Sequence, residues 1–267
     1  MPAKSVRALI ALFAVIAAAA AAFGEAGRGK VEAAVIVSAQ VEWAVVKSIH
    51  PRETYERTPY GEFFVTSITS PDASARRVVF FHGGWGKVAA AASTQYAVDR
   101  WDPPLIVNLG TCGGFEGAAV RFDVILATKT VIYDVIERMG NAEQALADCA
   151  TTIDLGWLQG PDPAGVRRVT LVSADQDLDP QAIPGLKAKY GAVAGDWESG
   201  AIAWTAQRNG KRVLILRGVS DLVGTGGGEA YGNVEVFRRN AETVMTRLLD
   251  ALPGWLARSG GQTQRAK

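Results

Sequence analysis

The sequence predicts a single α/β domain with three layers and a largely parallel central sheet. Short apolar runs rich in Val, Ile and Ala, typical of buried strands, alternate with helical patterns along residues 25–258. No repeat of about 20–50 residues occurs, and no linker separates two apolar blocks. Strands that alternate with helices in one block favour a parallel sheet covered on both faces.

Each predicted element has a local signal in the sequence. Apolar runs bounded by turn-forming or charged residues predict strands over residues 31–39, 61–69, 77–82, 105–109, 123–133, 168–174, 192–194 and 213–219. Helical spacing or high alanine content predicts helices over residues 44–49, 88–100, 141–150, 184–190, 201–208 and 234–256. Three glycine-rich segments are predicted loops or turns, at residues 83–87, 110–114 and 224–228.

The two ends of the chain are predicted to lie outside the domain. Lys4 and Arg7 precede an unbroken apolar run over residues 8–23, and small residues follow around position 24. This layout is typical of a secretory signal peptide over residues 1–24, which predicts an exported protein without stable membrane insertion after cleavage. The alternative is an uncleaved anchor helix, although the run is shorter than the roughly 20 residues a span needs. Residues 259–267 are predicted to be a disordered tail.

Composition excludes several classes of protein. Hydrophobic residues make up 48% and charged residues 21% of the chain, which excludes a disordered or collagen-like protein. Lys and Arg number 28 against 27 Asp and Glu, so no basic excess is available to bind nucleic acid. Cys112 and Cys149 are predicted to be free thiols, with a disulfide as the alternative. The cysteines and the two histidines, His50 and His82, do not have the spacing of zinc ligands, so no structural zinc site is expected.

Three acidic residues follow predicted strands, and this placement indicates a site. Glu42, Glu198 and Asp221 lie at or just beyond the carboxyl ends of three strands, where open α/β sheets bind ligands. Each acid alone is also compatible with a helix N-cap or first turn. The glycine-rich loops match neither a Walker A loop nor a dinucleotide-binding fingerprint.

Taken in order, five motifs resemble a known superfamily. They are Glu42, then Gly84-x-Gly86-Lys87-Val88, Asn108-x-Gly110-Thr111-Cys112-Gly113-Gly114, Asp196-Trp197-Glu198 and Arg217-x-x-Ser220-Asp221. The chain is similar to the nucleoside phosphorylase/nucleosidase superfamily, and most similar within it to 5′-methylthioadenosine/S-adenosylhomocysteine nucleosidases. The resemblance covers roughly residues 33–250. It implies a three-layer αβα sandwich with a parallel or mixed sheet, a homodimer, and hydrolysis of a purine N-glycosidic bond.

The resemblance also implies roles for individual residues. Asp221 would protonate the purine ring, Glu42 would activate the attacking water, and Glu198 would accept hydrogen bonds from the ribose hydroxyls. Arg217 would orient the acidic groups, and Trp197 would lie against the sugar. The ribose and base pockets would be lined by Thr111, Cys112, Gly113 and Leu178. A purine leaves readily once a ring nitrogen is protonated, so this chemistry needs a purine nucleoside and neither a metal nor an organic cofactor.

Two alternatives to nucleoside hydrolysis stay open at this stage. A phosphate-dependent phosphorylase needs cationic donors around the anion, but Val107-Asn108-Leu109 precedes the glycine-rich turn without an Arg. The second alternative is a non-catalytic binding or storage protein of the same fold. Such a protein would need none of Glu42, Glu198 and Asp221, so the presence of all three argues against it.

Three positions depart from the pattern of the superfamily. Asp177 stands where an aromatic residue usually stacks on the base, which puts adenine preference in doubt. Trp85 replaces an aliphatic residue and Trp197 replaces a Met. We predict that Trp85 narrows the pocket for the 5′-group, and the alternative is that it packs in the core.

Overall fold

Strands and helices alternate along residues 29–260, the part of the chain that the computed structural model describes. The strands are β1 (Ala33–Val37), β2 (Glu56–Arg57), β3 (Glu62–Thr69), β4 (Ala75–His82), β5 (Leu105–Phe115), β6 (Val124–Ile132), β7 (Ala150–Thr152), β8 (Val166–Ser173), β9 (Ala192–Asp196), β10 (Arg212–Gly224) and β11 (Gly227–Gly228). The helices are α1 (Gln40–Ile49), α2 (Gly86–Trp101), α3 (Ala142–Asp148), α4 (Ile183–Tyr190), α5 (Ser199–Arg208) and α6 (Val234–Arg258). The predicted α/β class is confirmed.

The strands form one mixed sheet, part of which closes on itself. Strands β4, β1, β5 and β10 are parallel neighbours, and β3 and β2 continue the sheet antiparallel beyond β4. From β10 the ladder continues through β6, β8 and β9, and β9 pairs back onto the last residues of β5. Five strands therefore form a closed ring, which brings the ends of β5, β9 and β10 close together.

Helices cover both faces of the sheet and bury a continuous core. Helices α2 and α5 pack against each other, and α1 packs against α6. Helix α6 buries apolar residues at helical spacing, namely Ala241, Val244, Met245, Leu248, Leu249 and Leu252. The buried cluster against which these helices pack runs from β1 to the end of α6. The strand ends are thereby held rigidly enough to present side chains at fixed positions.

Several predicted boundaries are wrong, and β5 is the most informative case. The glycine-rich segment 110–114 is a continuation of the strand, because β10 pairs with it from Arg217 opposite Gly110 to Val223 opposite Phe115. A Cβ atom at Gly110 would lie 2.0 Å from Arg217 Nη1, so the glycine makes room for a side chain and forms no turn. Helix α1 begins at Gln40, earlier than predicted, and it therefore contains Glu42. The short strands β2, β7 and β11 were not predicted.

The predictions for the two chain ends lie largely outside the described residues. The predicted signal peptide, residues 1–24, falls entirely outside residues 29–260, as do residues 261–267 of the predicted tail. Helix α6 ends at Arg258. Ser259 directly after it is buried, and its Oγ donates to Leu256 O at 2.7 Å. Within residues 29–260, no helix is both long enough and apolar enough to cross a membrane.

Candidate active site

A single cavity of about 790 Å³ gathers the residues singled out in the sequence. It lies where β1, β4 and β9 end and where the last residues of β5 and β10 run past them. All nine predicted site residues line it, namely Glu42, Thr111, Cys112, Gly113, Leu178, Trp197, Glu198, Arg217 and Asp221. The volume is in the range of pockets that hold a small organic ligand.

Three carboxylates surround one buried guanidinium at the floor of the cavity. Arg217 on β10 is 1% exposed, and its Nε lies 2.8 Å from Asp196 Oδ2. Its Nη2 lies 3.4 Å from Glu198 Oε2, and its Nη1 lies 3.8 Å from Glu42 Oε1. One positive charge cannot neutralise three buried negative charges, so the cluster favours binding a proton.

A second layer of buried polar side chains fixes this cluster. Asn108 Oδ1 accepts a hydrogen bond from Arg217 Nη2 at 2.8 Å and lies 3.0 Å from Ser199 Oγ, while its Nδ2 donates to Ile36 O. Ser173 Oγ donates to Asp196 Oδ1 at 2.6 Å, and Ser199 Oγ donates to Asp196 Oδ2. Asn108 is a polar residue inside an otherwise apolar stretch of β5, which indicates a hydrogen-bonded core residue, but the sequence does not indicate its partners.

Glu42 is held as a hydrogen-bond acceptor on both oxygens. It lies in the first turn of α1, where its Oε2 accepts from Ala39 N at 3.1 Å. Its Oε1 accepts from Thr111 N at 2.6 Å and from Thr111 Oγ1 at 2.8 Å. All three hydrogen bonds are accepted by Glu42, and they fix its carboxyl group beside Arg217 in the wall of the cavity.

Glu198 is the member of the cluster that takes up the proton. Its pKa is raised to about 8, chiefly by burial; Arg217 opposes this increase, and the charges of Asp196 and Glu42 add to it. Its Oε1 accepts from Gly86 N at 3.1 Å, at the first residue of α2, where the helix dipole is positive. Gly86 has a φ of +83°, which explains why the loop requires glycine there.

The raised pKa of Glu198 predicts a pH-dependent stability that Glu198→Gln removes. The folded protein binds more protons than the unfolded chain between the ordinary pKa of 4.5 and about 8, so this group lowers the free energy of unfolding as pH rises through that window. Glutamine resembles the protonated acid and does not titrate. We expect the melting temperature of Glu198→Gln, relative to wild type, to rise by several degrees between pH 5 and pH 9.

Thermal denaturation across this pH range tests the expectation. Glu242→Gln, at an exposed position on α6, is the matched control and should keep a constant difference from wild type. A constant difference for Glu198→Gln as well would mean that Glu198 is ionised in the folded protein throughout the range.

Asp221 stands on a β-bulge that directs it into the cavity. The pairing of β10 with β5 shifts register between Val219 and Asp221, which leaves Ser220 as the extra residue. Ser220 Oγ donates to Asp221 Oδ1 at 2.6 Å, and Asp221 is 6% exposed. Burial raises the pKa of Asp221 despite this hydrogen bond, and the charges of Glu229 and Asp177 add to the increase. The environment therefore favours a protonated acid that can donate.

Two stacked tryptophans stand at the edge of the cavity. The rings of Trp85 and Trp197 lie 4.7 Å apart with an interplanar angle of 24°. Trp85 is 68% exposed, so the alternative that it packs in the core is wrong. Both rings line the cavity and reduce the space near Glu198.

The far end of the cavity is formed partly by a segment that no sequence motif indicates. Tyr231 lies in the connection between β11 and α6, and its hydroxyl donates to Leu178 O at 2.8 Å. Phe237, in the first turns of α6, also lines the cavity, as does Asp177. The glycine-rich composition around Tyr231 gave no signal beyond that of a loop.

The cysteines and the acidic groups do not form a further reactive centre. Cys112 and Cys149 are both free thiols, and burial raises the pKa of Cys112 well above its ordinary value, which makes it a poor nucleophile. Within residues 29–260, no group of three or more His, Cys, Asp or Glu side chains is arranged to hold a metal ion.

Comparisons with known proteins agree with this architecture. The family model of the phosphorylase superfamily matches residues 32–252. The chain is 26% identical over 222 residues to a 5′-methylthioadenosine/S-adenosylhomocysteine nucleosidase of Marinomonas sp. (strain MWYL1), covering 78% of this chain and 94% of the relative. It is 24% identical over 194 residues to the nucleosidase of that name from Bacillus subtilis (strain 168), covering 68% and 83%.

Solved structures share the fold. The crystal structure of a nucleosidase of this kind from Colwellia psychrerythraea 34H, in complex with adenine, superposes with a TM-score of 0.68 at 20% identity, covering 88% of this chain and 98% of that one. The 5′-methylthioadenosine nucleosidase of Arabidopsis thaliana gives the same TM-score and identity. Since the family model spans most of the sequence, the chain belongs to the phosphorylase superfamily.

Proposed function

We propose that this protein hydrolyses the N-glycosidic bond of purine nucleosides, of the adenosine or 5′-methylthioadenosine/S-adenosylhomocysteine type, to free base and a ribose moiety. The observation that carries the proposal is that one cavity holds two carboxyl groups in opposite environments. Burial raises the pKa of Asp221, which suits a proton donor, whereas Glu42 is held only by hydrogen-bond donors, which suits a proton acceptor. Such a pair supplies the acid and the base of one reaction. The names of the relatives at 24–26% identity support the same reaction class.

Asp221 and Glu42 together account for the proton that the base gains and the proton that water loses. Asp221 gives its proton to a purine ring nitrogen as the bond from the sugar carbon to the base breaks and its electron pair moves to the base. The sugar becomes positively charged, and the carboxyl groups beneath it stabilise that charge. Water attacks the same carbon while Glu42 accepts its proton. Glu198 binds the ribose hydroxyls, and Trp197 lies against the sugar.

The charge of the cavity favours water over phosphate as the attacking group. Five carboxyl groups line it, namely Glu42, Asp177, Asp196, Glu198 and Asp221. Among the lining residues that the structure describes, Arg217 is the only Arg or Lys, and its nitrogen atoms already bind Asp196, Asn108 and Thr111. A phosphate ion would meet net negative charge here.

A nucleoside panel tests the proposal. Adenosine, inosine, 5′-methylthioadenosine and S-adenosylhomocysteine are incubated with purified protein, with and without phosphate, and the free base and sugar products are separated. We expect base release without phosphate, with the unphosphorylated sugar as the second product: ribose from adenosine and inosine, and the 5′-thio-substituted ribose from the other two substrates. Release that depends on phosphate would indicate a phosphorylase, and binding without release would indicate a storage or binding protein.

The position of Trp85 predicts that long 5′-substituents of the nucleoside fit poorly in the cavity. Because its exposed ring stacks on Trp197 at the edge of the cavity, it takes up space that an aliphatic side chain would leave open. We expect Trp85→Ile to raise kcat/KM for 5′-methylthioadenosine relative to adenosine several-fold. Trp85→Phe, which keeps an aromatic ring, should change the ratio less. An unchanged ratio in Trp85→Ile would contradict the proposed role of this ring.

We also propose that the protein is exported through residues 1–24 and acts as a homodimer. Export is supported by the order of residues in that segment, in which basic residues are followed by an apolar run and then by small residues. The homodimer is supported by the resemblance to the nucleosidases. The mass of the mature chain after cell fractionation tests export. Light scattering of the purified protein tests the dimer.

A further inference from the structure

The far end of the cavity carries an acidic side chain without a protein partner. Asp177 lines the cavity and is exposed, directly before the buried Leu178. Its neighbour Asp175 accepts a hydrogen bond from Lys87 N at 2.7 Å and lies 3.8 Å from Lys87 Nζ. In the part of the chain that the structure describes, the carboxylate of Asp177 has no ion pair and no hydrogen bond. Its acceptor capacity is therefore available to a ligand.

Asp177 lines the same cavity as Asp221, the proposed proton donor. The residue after it, Leu178, packs on Gly113, the strand partner of Asp221, because a Cβ atom at Gly113 would lie 3.0 Å from Leu178 Cδ1. The charge of Asp177 also raises the pKa of Asp221 and of Tyr231, in both cases after the larger effect of burial. The Tyr231 hydroxyl is already used, because it donates to Leu178 O at 2.8 Å. Since Asp221 protonates the base under the proposed function, the base binds against Asp221, in the cavity that Asp177 also lines.

The chemistry of a carboxylate then determines which bases fit. An ionised carboxylate only accepts hydrogen bonds, so it binds an exocyclic amino group and repels a carbonyl oxygen placed against it. A hydrogen bond to a charged group changes binding by about ten- to hundredfold. Sites built around such a bond reject analogues that lack the donor.

We propose that Asp177 is a specificity-determining residue that favours purines with an exocyclic amino group over purines without one. This inference rests on the proposed function, since it takes the orientation of the base from Asp221. It assigns to Asp177 a polar contact with the edge of the base, where the related nucleosidases that the sequence resembles have an aromatic residue.

Pairs of nucleosides that differ by one amino group test the proposal. Adenosine is compared with purine riboside, and guanosine with inosine, using kcat/KM for base release by wild type, Asp177→Leu and Asp177→Asn. We expect wild type to favour at least one amino-bearing member by about ten- to hundredfold. Asp177→Leu should bring that ratio close to one, with Asp177→Asn between them. Asp179→Asn is the matched control, because Asp179 is exposed nearby but does not line the cavity.

The outcomes separate this proposal from the proposed function. The same ratio in wild type and in Asp177→Leu would overturn the role of Asp177 while leaving nucleoside hydrolysis intact. If wild type releases no base from any nucleoside, the proposed function fails, and dissociation constants for the same pairs then test Asp177. A preference in binding that is lost in Asp177→Leu would support the proposal, and no preference would overturn it.

Discussion

Replacing Asp221 with Asn should lower kcat for base release from purine nucleosides by about 10²–10⁴-fold, the usual contribution of general acid catalysis. Asparagine has the same shape and can still accept the hydrogen bond from Ser220 Oγ, so the β-bulge and the cavity should persist. It cannot transfer a proton to the base. KM and the melting temperature should therefore change little, and the loss should appear in kcat.

A substrate with a better leaving group makes this test specific. p-Nitrophenyl riboside releases an anion that is stable without protonation, so Asp221→Asn should keep much more of its activity on this compound than on adenosine. The wild-type enzyme should also lose activity on adenosine as pH rises above the elevated pKa of Asp221, because the donor is then ionised. An equal loss on both substrates would show that Asp221 acts on something other than the leaving group.

The site was predictable from the sequence where function depends on residues near the carboxyl ends of strands, although β10 continues past Asp221 to Gly224. Glu42, Glu198 and Asp221 could be expected to meet because the carboxyl ends of neighbouring strands share one edge of a sheet. The order of the five motifs indicated the superfamily and, through that resemblance, identified Arg217 as a site residue. The structure brings these residues together, while their chemical roles stay predictions that the experiments above address.

Long-range pairing was not predictable in the same way. Local composition indicates a turn at residues 110–114, but the ladder between β5 and β10 keeps this segment extended, and the pairing of β5 with β9 closes the ring. Glycine at position 110 serves a close approach by Arg217, which lies 107 positions further along the chain, and no local pattern encodes such a contact. Asn108 and Ser199 were missed for the same reason, because their partners come from distant strands.

Glu42→Gln should lower kcat by about 10²–10⁴-fold as well, through loss of the base that accepts the proton of water. All three hydrogen bonds to Glu42 are accepted, from Ala39 N, Thr111 N and Thr111 Oγ1, so a glutamine amide must turn its NH₂ group toward at least one donor. Part of any loss could then reflect displacement of the side chain. Thr111→Val gives the scale of that effect, because it removes one donor and keeps the carboxylate, and we expect it to cost about tenfold or less.

Rescue by an external nucleophile distinguishes two roles for Glu42: general base for water, or structural support of the site. Azide attacks the sugar carbon without having to lose a proton, so Glu42→Ala should regain base release in the presence of azide and form a ribosyl azide. The change also removes one negative charge 3.8 Å from Arg217 Nη1, which makes the floor of the cavity more favourable for an anion. Wild type should show no such gain, since its carboxylate both activates water and repels azide. If azide fails to restore base release in Glu42→Ala while the nucleoside still binds, Glu42 supports the fold of the site and another group activates the water.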